Sequence, residues 1–89
     1  MPQPDSTTLK TTTGFGYEFF APRKTKEGWE TGIEVTRHGD HIDEVGLWFN
    51  ADKELEDFDG VFALDKHMIK VIRKAGFIVT KGMEELCTE

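Results

Sequence analysis

The chain has 89 residues, 17 acidic and 11 basic, for a net charge of −6, and it carries a single cysteine. That length makes one domain with a small core, and 37% hydrophobic with 11% aromatic residues is a globular composition, not a disordered one. One thiol excludes an intrachain disulfide, the acid excess argues against phosphate contacts to nucleic acid, and no window approaches the roughly 18 apolar residues of a membrane span.

The opening MPQPDSTTLK lacks the charged start and apolar run of a secretory leader, so the expectation is a soluble protein of a reducing, cytoplasmic compartment. Residues 1–13 are poor in apolar groups and suit a flexible arm or a loosely attached edge strand. From Phe15 the odd positions Phe15, Tyr17, Phe19 and Ala21 are apolar, the period of a half-buried strand, and Phe20 breaks the rule. RKTKEG reads as a loop. WETGIEVTR then alternates cleanly, with Trp29, Thr31, Ile33 and Val35 on one face and Glu30, Gly32, Glu34 and Thr36 on the other.

In HGDH the spacing predicts a hairpin turn on Gly39 and Asp40, because glycine takes positive φ at little cost and aspartate tolerates it. The next strand puts Val45, Leu47 and Phe49 on one face and Glu44, Gly46 and Trp48 on the other. Asn50-Ala51-Asp52-Lys53 is a polar turn. Glu54 to Phe58 returns as a short strand whose poor alternation, Leu55 against Phe58, calls for a bulge or an early turn.

Helical spacing begins at Leu64 and links Met68, Ile69, Ile72 and Ala75, with Asp65 in the first turn and Arg73 and Lys74 in the last. Gly76 stands where a left-handed cap is wanted. Phe77 to Thr80 reads as a last short strand, Lys81-Gly82 as a turn, and MEELCTE as a tail or an extra helical turn. The predicted fold is therefore α+β: an antiparallel meander of three to four strands, one helix packed on one face, and a short last strand. Its bounds are an arm over 1–13, a single domain over 14–82 and a tail over 83–89.

Charge is unevenly placed along this chain. Residues 1–38 hold five bases and five acids, residues 39–65 hold nine acids against Lys53 alone, and the remainder holds five bases and three acids. An acidic middle third favours a basic partner, or serves solubility as a solvated rim.

Two stretches carry candidate chemistry. EDFDGV, Glu56 to Val61, resembles the D-x-D-G signature of the haloacid dehalogenase-like phosphohydrolases, which implies Asp57 as nucleophile, Asp59 as acid/base and a magnesium ion between them. Against it, ADKELE is not the apolar run of a buried parallel strand, and only thirty residues follow Asp59 to supply a lysine (Lys70 or Lys74) and an acidic loop (Glu84, Glu85). The same stretch fails as a calcium loop, since its first and last ligand positions fall on Leu55 and Lys66. Otherwise EDFDGVFALD is a junction: a turn over Asp57 to Gly60, apolar anchors at Phe62 and Leu64, then the helix.

His38, Asp40, His41 and Asp43 cluster around a tight turn and form the candidate metal set, weighed against a solvent-exposed polar turn. His67 reads as a surface helix residue and Cys87 as a thiol with no local activator. No cofactor is expected.

The remaining feature is surface. If odd positions face the helix, Phe20 and Trp48 point outward together with Glu18, Glu34 and Glu44, and are either a partner-binding patch or covered by the chain's own termini. The leading expectation is a small protein-interaction or accessory module that binds a protein partner through the outer sheet face and the acidic hairpins, a role that needs no catalytic residues. The alternatives are a metal-dependent phosphohydrolase-like activity at Asp57 and Asp59, and a structural homodimer pairing the aromatic faces.

Overall fold

The computed structural model describes residues 6–60 and 64–87, the last two of these as helix backbone only. Its described elements are β1 (Thr7–Lys10), β2 (Phe15–Phe19), β3 (Arg23–Lys24), β4 (Gly28–Arg37), β5 (Asp40–Asn50), β6 (Leu55–Asp59), α1 (Lys66–Lys74) and α2 (Lys81–Cys87). The class is α+β, with strands in the order β1-β2-β4-β5-β6 and β3 paired to β4. All six strands pair antiparallel, and both helices are short.

Three differences from the sequence expectation have physical causes. The described sheet has six strands instead of three or four, because two mostly polar segments add to it by backbone pairing, helped by Leu9 on the core in one and by Arg23 on Glu30 and Lys24 over Trp29 in the other. Thr7–Lys10 lies beside β2 although Leu9 is its one apolar residue, and Lys74 Nζ donates to the Thr8 carbonyl at 3.1 Å. Arg23 and Lys24 fold back on Glu30 and Trp29 within the segment read as a loop, closed by the Thr25 amide on the Gly28 carbonyl at 2.8 Å.

The second difference is a second helix, α2, over most of the expected tail. Its start is held by Thr80, whose carbonyl accepts from the Glu84 amide at 2.8 Å. The third is the expected last strand over Phe77 to Thr80, which is reduced to one parallel bridge between Ile78 and Glu54. Phe77 and Val79 turn into the core instead of extending a ladder.

The β4–β5 hairpin turns on His38 and Gly39, not on Gly39 and Asp40. Arg37 faces Asp40, and positive φ falls on His38 (52°) and Gly39 (89°), as a two-residue hairpin turn requires. The register then shifts between Val35 and Thr36, leaving Ile42 as the extra residue on β5. A second shift leaves Glu56 unpaired on β6 and brings both Leu55 and Phe58 onto the face of Phe49 and Leu47. This is the bulge that the parity of Leu55 and Phe58 called for.

Helix α1 starts on Asp65, whose Oδ1 accepts from the Met68 amide at 2.9 Å. It ends in a Schellman arrangement: Gly76 at φ 92° donates to the Arg73 carbonyl at 3.0 Å and Phe77 to the Ile72 carbonyl at 3.2 Å. That reversal delivers Phe77 between the sheet and the helix, with its ring 4.5 Å from Phe49 and 5.5 Å from Phe19. The core joins Tyr17, Phe19, Ile33, Val35, Val45, Leu47, Phe49 and Leu55 of one sheet face to Leu64, Met68, Ile69, Val71, Ile72, Phe77 and Val79. The apolar anchor expected at Phe62 lies outside the described residues, as do 1–5 of the expected arm and 88–89 of the tail. No described helix is long and apolar enough to cross a membrane.

This packing sets a contrast between two isoleucines. Ile72 is fully buried and Ile78 is 44% exposed. Urea unfolding of Ile72→Ala is expected to show a loss of about 2–5 kcal/mol, against about 0.5 kcal/mol or less for Ile78→Ala.

Candidate interaction face

One sheet face packs against the helices, so the other is built from the residues of opposite parity. Antiparallel pairing sets them in cross-strand rows. Thr8, Glu18, Glu34 and Glu44 form one row across β1, β2, β4 and β5. Gly32, Gly46 and Asp59 form the next, with the Phe20 amide donating to the Gly32 carbonyl at 3.0 Å at its near end. Arg23, Glu30, Trp48 and Asp57 form the third.

These rows bring together the five residues that the parity of the strands pointed outward. Phe20 and Trp48 are each 39% exposed, on either side of the glycine pair. A side chain at Gly46 would meet the Trp48 ring, whose Cη2, Cζ3 and Cζ2 lie 3.0, 3.3 and 3.7 Å from the Cβ position. The indole thus lies along its own strand beside Gly46, where a Cβ would press it by a few tenths of an ångström. At Gly32 the nearest side-chain atom is Phe20 Cδ2, at 4.0 Å. Between the two rings runs an open groove of about 450 Å³, with Gly32 and Gly46 as floor and Arg23, Glu30 and Glu44 at its margins.

Three glutamates stand side by side in the row beside this groove. Like charges directly opposed on neighbouring strands destabilise a sheet, and solvent screens only part of that cost. Glu34 is partly relieved by His41, whose Nδ1 lies 2.9 Å from Glu34 Oε2, and Glu30 is paired with Arg23. Among the described residues no basic side chain pairs with Glu18 or Glu44. The described parts of the two ends of the chain do not line the groove: β1 extends the sheet beside β2, and α2 is tied to α1 by Arg73 and Glu84 at 3.1 Å.

The other candidate residues are dispersed. Asp57 and Asp59 lie within β6, not in a turn, exposed on the groove face beside Trp48 and Gly46. Asp57 Oδ1 accepts from the Phe58 amide at 2.9 Å. Of the metal set, His41 faces outward toward Glu34, Asp43 faces the opposite side next to Val35 and accepts from the Glu44 amide, and the His38 ring lies over Gly14. Asp40 begins β5, exposed. The bulge at Ile42 is what separates His41 from Asp43. No group of three potential metal ligands occurs among the described residues.

Sequence reasoning missed the groove floor. Gly32 and Gly46 were visible on the outer parity, but their placement opposite each other depends on the register beyond the bulge. It also missed a polar contact on the core side: the Tyr17 hydroxyl donates to Asp65 Oδ2 at 3.2 Å, beside the His67 ring at 5.5 Å. Burial raises the Tyr17 pKa from 10.0 to about 12, assisted by the charge of Asp65 and by that hydrogen bond.

The sign of the resulting pH dependence follows from which state holds the proton. Between pH 10.0 and about 12 the folded protein keeps a phenolic proton that the unfolded chain has released, so stability falls as pH rises through that window. Denaturant titrations at pH 9, 10.5 and 11.5 are expected to show this loss in the parent and a flatter profile in Tyr17→Phe. Comparison with protein-family models, with curated proteins and with solved structures finds no match for this chain.

Proposed function

We propose that this protein is an interaction module, not an enzyme, and that it holds a basic segment of a protein partner across the outer face of its sheet. The observation that carries this reading is the pair Phe20 and Trp48, each 39% exposed, flanking a glycine-floored groove beside the row Glu18, Glu34 and Glu44. Exposed aromatics at the centre of a patch supply contact area, and an uncompensated row of carboxylates supplies steering and a preference for cations. A basic strand laid over that row offsets the mutual repulsion of the glutamates, so binding relieves a cost already present in the free sheet.

The same electrostatics disfavour face-to-face pairing of two copies, which opposes glutamates to glutamates. A lone cysteine and the acidic balance are consistent with a cytoplasmic, reducing setting.

The test is a titration of isotope-labelled protein with a short lysine- and arginine-containing peptide and with its glutamate counterpart, at low and high salt. The expected outcome is shifts confined to Gly32, Gly46, Glu18, Glu34, Glu44 and the Trp48 indole for the basic peptide alone, weakened by salt. Glu34→Gln and Glu44→Gln are each expected to weaken binding by about two- to fivefold. Equal response to both peptides, or shifts on the helix side, overturns the proposal. A doubled mass in solution, lost in the double variant Phe20→Ser with Trp48→Ser, points to the homodimer instead.

A further inference from the structure

Among the described residues three rings, Phe15, Trp29 and Phe77, carry the chain's own cations, and the two exposed rings of the outer face, Phe20 and Trp48, carry none. Lys24 Nζ lies 4.7 Å and Lys53 Nζ 5.6 Å from the Trp29 ring centre, Lys53 lies 5.4 Å from that of Phe77, and the Arg37 guanidinium lies 5.4 Å from that of Phe15. Among the described residues no cation of the chain lies over Phe20 or Trp48. Trp48 nonetheless offers the best ring for such a contact. Its benzo ring lies against Gly46, and the residue, 39% exposed, lines the groove.

Carboxylates stand near that ring, and the chain's own Arg23, engaged by Glu30, lines the same groove. Along β5, Glu44 stands two residues before Gly46 and lines the groove, and Glu34 is its cross-strand neighbour. Asp57 and Asp59 oppose Trp48 and Gly46 from β6. A partly exposed indole with acids near it attracts a cation by two independent terms, the ring quadrupole and the charge field. The glycine floor adds a shape condition, because it makes the groove shallow and flat. A planar, weakly hydrated guanidinium can stack there while its N–H fork reaches a carboxylate, whereas an ammonium gains only a point contact and keeps its hydration.

We propose that the groove takes an arginine side chain, its guanidinium stacked on Trp48 and hydrogen-bonded to Glu44. This inference rests on the reading of the face as a site for a basic segment and names the residue that anchors such a segment.

The experiment is a nitrogen-15 NMR titration with acetyl-Gly-Arg-Gly-amide, its lysine analogue and its neutral citrulline analogue. The arginine peptide is expected to shift the Trp48 indole N–H and the Gly46 amide and to bind about two- to fivefold tighter than the lysine peptide. The citrulline peptide is expected to give no saturable shift. Trp48→Ala is expected to remove the arginine preference while leaving a weaker, carboxylate-dependent response to both basic peptides. Gly46→Ala, whose new Cβ lies 3.0 Å from Trp48 Cη2, makes the indole give by a few tenths of an ångström and is expected to weaken arginine binding less than Trp48→Ala does. Dispersed spectra of each variant show that the fold is intact. Equal binding of arginine and lysine peptides with no movement of the Trp48 indole overturns the arginine anchor and leaves the basic-segment reading standing. Absence of binding by any basic peptide, including the longer one, overturns both.

Discussion

The outer face of this sheet depends on one inserted residue, Ile42. Strands β4 and β5 are joined by a two-residue turn, which opposes residues of unlike parity: Arg37 to Asp40 and Thr36 to His41. Yet the apolar residues of both strands are odd-numbered, Ile33 and Val35 on one, Val45, Leu47 and Phe49 on the other. Residues directly opposed on neighbouring strands lie on the same face, so without a correction one strand would present its apolar set to solvent. The bulge supplies that correction, and beyond it Ile33 faces Val45 and Thr31 faces Leu47. Ile42 bears the cost, at 50% exposure.

That shift has consequences on both sides of the sheet. On the core side it completes the layer of Phe19, Ile33, Val45 and Leu47 that receives α1 and Phe77. On the open side it aligns Glu34 with Glu44 and Gly32 with Gly46, so carboxylates and glycines that are remote in sequence become a row and a floor. Burial of the odd positions is the dominant free-energy term, and the charge repulsion in the glutamate row is the smaller one that folding tolerates.

The helical layer obeys more local rules. Asp65 caps α1, Gly76 reverses the chain, and the reversal places Phe77 where the core needs an aromatic. The tie between Tyr17 and Asp65 joins the helix start to β2 across the layer, so one carboxylate holds a helix end to the sheet.

The amino-acid sequence by itself determined what depends on short-range periodicity and backbone chemistry. The alternation over β4 and β5, the bulge implied by Leu55 and Phe58, the helix with its acidic start and Gly76 stop, and the outward parity of Phe20 and Trp48 all rest on repeats of two or 3.6 residues. The tertiary structure decided what depends on pairing between distant segments. Strands β1 and β3 carry too little apolar residue to announce themselves and exist because a neighbouring strand offers free backbone groups. Phe77 to Thr80 has the apolar pattern of a strand but forms a bridge at one residue only, Ile78 to Glu54 just before β6, because its other apolar side chains are drawn into the core. The turn at His38 and Gly39, the separation of His41 from Asp43, and the groove between Phe20 and Trp48 follow from register. Register is set by which faces must be buried together, a condition that no single segment contains.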